Sequence, residues 1–239
     1  MLFIESTLPT IPANLAMEEA ILELAEQGTW DHEYLRIWQA HEVFAVIGRG
    51  SKYSQEVNVS ACEDAGISFF RRCSGGAAIV AGPGCLLYAV MLSLKNRPEL
   101  QMVDVAHKFV MQQMVAALKP IAPQITYAGT CDLVINGRKV SGNSMRVRRD
   151  WLLYHGTLLL DMELENIDRY LNYPPREPDY RRHRPHHDFV ANIGCSAEVA
   201  SQLLQQQWQA KEADIELPLA MTHELVQQKY TQDSWNKQR

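Results

Sequence analysis

The stretch AAIVAGPGCLLYAVMLSL, residues 77–94, is the longest apolar run in the sequence and limits the fold more than any other segment. Gly82, Pro83 and Gly84 break it before a single helix could span a bilayer, because proline lacks the backbone donor and clashes with the preceding turn. It reads as two buried strands around a turn. With 239 residues, 46% of them hydrophobic and 21% charged, the chain can bury one sizeable core unaided, so a single domain over 1–239 is expected.

The spacing around this run predicts interleaved helices and hairpins. Asn14 to Gln27 sets Leu15, Ala16, Ile21, Leu22 and Leu24 against Glu18, Glu19, Glu23 and Glu26, an amphipathic helix with Asn14 as its cap. YLRIWQA and VFAVIGRG are β-rich runs expected to be neighbouring strands. A short helix over Asn58 to Ala65, the strand ISFFRR and a rigid loop from Cys73 to Gly84 follow. Val103 to Leu118 has helical spacing, then CDLVING and RKVSGNSM read as strands about the tight turn Asn136–Gly137. LLYHGTLLLD reads as a strand, Leu164 to Leu171 as a helix, and Pro174 to Asp188 as an irregular loop. Two helical pieces, Ala197 to Lys211 and His223 to Tyr230, come last. This order argues for an α+β or mixed α/β fold, with a central mostly antiparallel or mixed sheet flanked by helices.

The net charge of -5 gives no general attraction to nucleic acid or to an anionic membrane, so neither is expected as a partner. Glu5 and two early prolines do not suit a secretory leader, and five cysteines without a CxxC pair suit a reducing compartment, so a cytoplasmic location is expected.

Two segments can carry chemistry. RRCSGGAAIVAGPG puts two arginines at a strand end, followed by small residues that let main-chain N–H groups approach phosphate or carboxylate oxygens. It is neither a Walker loop nor GxGxxG, and glycine there equally suits a buried hairpin. In CDLVINGRKVSGNSMR, Lys139 lies beside a turn, with Ser141, Gly142, Asn143 and Ser144 after it. Such an ammonium suits a carboxylate or α-phosphate whose charge must be neutralised, although a solvated hairpin lysine has the same spacing.

Taken with NLAMEEA (14–20), RIWQ (36–39), VIGRG (46–50) and HGTLLLD (155–161), these segments resemble the catalytic domain of the lipoate-protein ligase A family, which belongs with biotin ligases and octanoyltransferases. QKYTQDSWN looks like that family's closing segment. The resemblance implies activation of lipoate by ATP to lipoyl-adenylate, then transfer of the lipoyl group to a lysine of an acceptor lipoyl domain. It implies that Lys139 contacts the reacting carboxyl and phosphate oxygens. It implies an acyl and adenylate pocket from Trp38, Arg71, Ser74, Gly75, Gly76, Ala77, Ala78, Ser141, Gly142, Arg146, His155, Gly156 and Thr157. Asp132 is the candidate to help hold Mg2+, which favours a carboxylate plus phosphate oxygens.

The sequence departs from that pattern in three places. Ala77 stands third in the usual glycine triplet, where a methyl can restrict the backbone and weaken ATP binding, and Ala81 and Gly82 replace a His-Asp pair. The chain also ends without the accessory C-terminal domain of longer ligases, so a separate accessory subunit is a candidate partner. A rival reading is an octanoyltransferase working through a cysteine thioester without ATP, for which Cys73, Cys85 and Cys131 lie near the pocket. The octanoyltransferase branch most similar to this chain carries its nucleophile after the lysine motif, where Met145 to Ala191 contains no cysteine. Biotin in place of lipoate is disfavoured, because RRCSGG and GRKVSGN look closer to the lipoate branch than to the biotin-type loop, and a chain that binds an acyl group or a lipoyl domain without turnover would keep the same pocket. RRHRPHHD, from Arg181 to Asp188, is a poor metal site because Pro185 interrupts the histidine spacing; it reads as a solvated loop or as a docking patch for an acidic acceptor.

Overall fold

The second half of the apolar run lacks charged residues because it forms a strand covered on both faces, as the computed structural model, which describes residues 1–238, shows. In chain order the elements are β1 (Leu2–Glu5), α1 (Ile11–Glu26), β2 (Tyr34–Gln39), β3 (Phe44–Ile47), α2 (Tyr53–Glu56), α3 (Val59–Ala65), β4 (Phe69–Arg71), β5 (Ile79–Ala81) and β6 (Cys85–Ser93). They continue with α4 (Val103–Leu118), β7 (Thr126–Ala128), β8 (Asp132–Ile135), β9 (Arg138–Ser141), β10 (Asn143–Val147) and β11 (Trp151–Leu159). The last are α5 (Glu165–Tyr170), α6 (His186–Phe189), α7 (Ala197–Gln207), β12 (Lys211–Glu212), α8 (Leu219–Leu225) and α9 (Asp233–Asn236).

A six-stranded mixed sheet in the order β10-β11-β6-β2-β1-β12 forms the body of the protein. β1 runs parallel to β2 and β12; the pairings of β2 with β6, β6 with β11 and β10 with β11 are antiparallel. Side chains alternate across it as the pleat requires. Leu86, Tyr88, Val90 and Leu92 pack with Val110, Met111 and Met114 of α4 and Leu204 of α7. Leu87, Ala89 and Met91 turn the other way, towards Leu15, Met17 and Ile21 of α1. No helix among the described residues is long and apolar enough to cross a membrane.

The two halves of the apolar run part company after the turn: β6 enters the large sheet, whereas β5 joins a small sheet ordered β4-β3-β5. β3 belongs there too, so YLRIWQA and VFAVIGRG are not neighbouring strands. Both edges of β2 are taken, by β1 and β6, and β3 has none left to pair with. RKVSGNSM also divides, at Gly142. β9 closes a third sheet, β7-β8-β9, and β10 crosses to the edge of the large one.

α1 begins before the expected cap. Thr10 is the N-cap, with its hydroxyl accepting from Ala13 N, and Pro12 occupies the first turn, where a missing N–H costs nothing. The Asn14 side chain instead accepts from Leu8 N at 2.9 Å and from Arg36 Nη2 at 2.6 Å. Glu18 and Glu19, which the helical spacing places on a solvated face, are buried. Glu19 pairs with Lys229 at 2.7 Å and accepts from the Tyr230 hydroxyl at 2.9 Å, tying α1 to the C-terminal segment.

Candidate active site

Between the α1 face of the large sheet, the small sheet and the β8–β9 hairpin lies a cleft of about 800 Å³. Trp38, Gly75, Gly76, Ala77, Ala78, Gly142, His155, Gly156 and Thr157 line it, together with Lys139 and Asp132. The glycine turn and the lysine hairpin therefore face one space. Leu15, Val46, Ile79 and Leu87 add apolar wall, and Arg72, Asn143 and Ser144 add polar groups.

Four of the expected pocket residues are placed elsewhere. Arg71 is buried away from the cleft: its guanidinium donates to the carbonyls of Gly48, Ser51, Trp235 and Asn236, at 2.8, 2.8, 2.9 and 3.1 Å. Consecutive strand residues point to opposite sides, so only one arginine of the pair can reach the cleft, and it is Arg72. Ser74 and Ser141 are buried behind the wall. Arg146 supports the glycine turn from below, donating to Cys73 O at 2.7 Å. Asn143, which is not in the expected set, lines the cleft and holds the hairpin in place. Its amide donates to Cys131 O at 2.6 Å and its oxygen accepts from the Tyr88 hydroxyl at 2.5 Å.

The glycine turn is arranged as a set of donors. Arg72 takes the Gly75 carbonyl through Nη2 at 2.5 Å and the Ala77 carbonyl at 3.0 Å. Ser144 donates to Gly75 O at 2.8 Å and Ser51 to Gly76 O at 3.2 Å. The N–H groups of Gly75, Gly76 and Ala77 have no acceptor among the described residues. Carbonyls engaged and N–H groups open is the polarity of an anion cradle. Gly76 has φ +86°, which favours glycine, whereas Ala77 is not among the residues at positive φ, so its methyl meets no backbone conflict. Ala81, which replaces the first residue of the family's His-Asp pair, is fully buried in β5. Burial pushes the Arg72 guanidinium down to about 10, against the opposing pull of Glu56, and leaves it protonated at neutral pH.

Lys139 Nζ sits 2.7 Å from Asp132 Oδ1, and Asp132 Oδ2 accepts from the Tyr180 hydroxyl at 2.7 Å. A Cβ at position 142 would lie 2.9 Å from Lys139 Nζ, so Gly142 leaves the room the lysine occupies. As for magnesium, both Asp132 oxygens are engaged, and no group of three His, Cys, Asp or Glu residues suited to a metal occurs among the described residues. The described residues thus offer no three-ligand metal site, and an ion here would have Asp132 as one carboxylate ligand beside phosphate oxygens.

Tyr180 comes from the Pro/Arg/His-rich segment, a strap over the lysine hairpin in which Arg181 and His186 are buried while Arg182, His183 and His187 stay exposed. Arg184 donates to Gly137 O at 2.9 Å, Arg138 to His187 O at 2.8 Å, and Ala191 N to Lys139 O at 2.8 Å. Pro175, Arg176, Glu177 and Pro178 line the cleft from this strap. Arg181 is buried, its guanidinium 4.7 Å from the ring centroids of Tyr173 and Phe189, and cannot serve as a docking charge.

None of the three candidate cysteine nucleophiles is activated. Burial pushes the thiols of Cys73 and Cys85 up to about 12, and burial together with Asp132 pushes Cys131 up to about 11. Cys131 does line the cleft, with its Sγ donating to Asn143 O at 3.1 Å.

The chain is similar to several known proteins. A probable lipoate-protein ligase A of Mycoplasma pneumoniae is 31% identical over 159 residues, covering 66% of this chain and 45% of that protein. The chain thus spans about half the length of that relative. An octanoyltransferase LipM of Brevibacillus brevis is 25% identical, with 95% of this chain and 94% of that protein covered. Among solved structures, a lipoate-protein ligase A bound with ATP superposes with a TM-score of 0.81 at 21% identity, covering 99% of this chain and 97% of that one. A T. acidophilum protein with bound lipoic acid superposes at 0.80 and 19%, covering 100% and 98%. At these identities the structures establish a shared fold. The family model described as the lipoyl protein ligase A/B catalytic domain matches residues 10–211, a span that contains every residue lining the cleft, and the chain belongs to that family.

Proposed function

We propose that the protein activates lipoate with ATP and passes the lipoyl group to a lysine of an acceptor lipoyl domain. The observation that carries this reading is that the Lys139 ammonium and the open N–H groups of the glycine turn line one cleft. In the first step a carboxylate oxygen bonds to the α-phosphorus as pyrophosphate leaves. Two anions must meet, and a fixed ammonium beside a cradle of main-chain donors lowers their repulsion more in the transition state than before it. In the second step the acceptor amine attacks the acyl carbonyl and AMP departs. Trp38, Leu15, Val46 and Leu87 provide apolar wall suited to an aliphatic acid.

The Lys139 ammonium spends one of its three N–H donors on Asp132, which leaves two to meet the acid and the nucleotide. Asp132 is itself held by the Tyr180 hydroxyl, so the carboxylate fixes where that ammonium sits. The assay is pyrophosphate release with ATP and either lipoate or octanoate, with and without a lipoyl-domain acceptor. Release dependent on lipoate supports the ligase, and its absence overturns it. Lys139→Ala is expected to lower release by about 10²-fold or more, the cost of one preorganised charge stabiliser.

A second reading is transfer of octanoate from a carrier thioester without ATP, favoured by the end-to-end similarity to an octanoyltransferase. It lacks an activated thiol among the described cysteines. Acyl transfer from a carrier in the absence of ATP, lost in a Cys131→Ser variant, would reverse the choice.

A further inference from the structure

The α1 face of the large sheet carries a continuous line of buried polar groups that ends at the glycine turn. It begins at Arg36, whose guanidinium has no exposed surface, donates to Ser6 O and Asn14 O at 2.9 Å, and lies 3.7 Å from Glu18 Oε1. A buried cation needs a counter-ion, and that requirement fixes Glu18, which is largely buried at the wall of the cleft. The same carboxylate accepts from Trp38 Nε1 at 3.3 Å, and its other oxygen meets His155 Nδ1 in a short hydrogen bond. His155 Nε2 lies 2.5 Å from Ser74 Oγ, which in turn accepts from Arg72 Nε at 3.1 Å. The line ends with Arg72 on the carbonyls of Gly75 and Ala77.

Glu18, His155 and Ser74 stand in the order of an acid–base–nucleophile triad. Ser74, however, does not line the cleft, and its oxygen is already tied to a guanidinium. A hydroxyl with no path to substrate is not a nucleophile. The order fits a different task. An anionic partner at Nδ1 fixes the proton on that nitrogen, so Nε2 accepts from the serine hydroxyl and leaves the serine lone pairs for Arg72.

We propose that Glu18 is a positioning residue, acting through His155 and Ser74 to keep Arg72 on the Gly75 and Ala77 carbonyls and the N–H groups of the turn free for a substrate oxyanion. Only the identity of that oxyanion rests on the ligase reading. If Glu18 held α1 in place and nothing more, it would be equivalent to Glu19, which is equally buried and paired one residue away.

The test compares Glu18→Gln, His155→Asn and Ser74→Ala with Lys229→Met, which breaks the Glu19 pair, in the full chain. The first readout is the pair of backbone amide resonances of Gly76 and Ala77, neither of which follows a substituted residue directly, in 1H–15N spectra. They are expected to move in all three relay variants and to stay in the control. The second is pyrophosphate release with ATP and lipoate. There Ser74→Ala and His155→Asn are each expected to lower kcat by about 10²-fold, with KM for lipoate changed less than about threefold. The double variant should be no slower than the slower single one, because both cut the same line. Glu18→Gln leaves Arg36 unpaired; if it does not fold, Ser74→Ala and His155→Asn decide from the other end. Unmoved Gly76 and Ala77 resonances in the folded relay variants, equal movement in the control, or losses that multiply in the double variant would overturn the proposal. A wild-type chain that releases no pyrophosphate overturns the ligase reading instead, and the amide resonances still decide the positioning role.

Discussion

At the scale of single residues, the side chains that meet a ligand and the side chains that aim them look alike in a sequence. Arg71 and Arg72 are adjacent and chemically identical, yet one staples the loop after β3 to the segment at Trp235 and Asn236 and the other cradles the glycine turn. Strand parity separates them, and parity cannot be assigned until the strand's partners are known. Lys139 and Gly142 are legible only through the family resemblance of their segment, because a solvated hairpin lysine has the same spacing. Glu18 is not, because a glutamate at helical spacing reads as solvated until Arg36 is found beneath it. Gly142→Ala should push the lysine aside, since the new methyl would start 2.9 Å from Nζ; a drop in pyrophosphate release with an unchanged melting temperature is the expected result. The Cys131 thiol, pushed up to about 11 chiefly by burial, should react with iodoacetamide slowly at pH 8. Its rate should rise about tenfold per pH unit towards pH 11, as thiolate alone is the nucleophile. A fast, pH-independent labelling at that cysteine near neutrality would show an activated thiol and revive the thioester enzyme.

At the scale of elements, helices with clean spacing are legible almost residue for residue. Val103 to Leu118 is α4, and Asn58 caps α3 by accepting from Ala61 N at 3.4 Å. Which strand pairs with which is not legible, because the run from 77 to 94 sends its two halves to different sheets through one Gly-Pro-Gly turn. The strap from 174 to 190 looks like open loop in the sequence for a related reason. Its order comes from partners on the lysine hairpin, which local composition does not report. His186 offers a handle on it. Burial and the nearby Arg181 depress its pKa, so the folded strap holds it neutral while the unfolded one protonates it near the ordinary value. A depressed folded pKa means stability present above about pH 6.5 and lost as the pH falls through the folded value. Trypsin should therefore cleave within the strap faster at about pH 5 than at about pH 7.5, after correction for its own pH profile, and His186→Gln should flatten that difference.

At the scale of the whole molecule, the large sheet is covered on both faces, and its central strand tolerates little loss of volume. Leu92→Ala should cost about 2–5 kcal/mol, seen in chemical denaturation as a lower midpoint with an unchanged slope. The net charge of -5 conceals a local excess at the strap, where Arg182 is exposed although Arg181 is not. If an acidic acceptor docks there, its KM should rise between about 0.05 and 0.3 M salt as the Debye length shortens, and Arg182→Ala should remove part of that dependence. An Arg182→Ala enzyme with unchanged acceptor KM at every salt concentration rules the patch out. The Arg71 staple has a consequence in time as well as in space. A ribosome that has not yet released Trp235 and Asn236 has already made every residue that lines the cleft, but not two of the carbonyls that hold Arg71. The strand that leads into the glycine turn is thus expected to stay unsecured until those two residues have emerged.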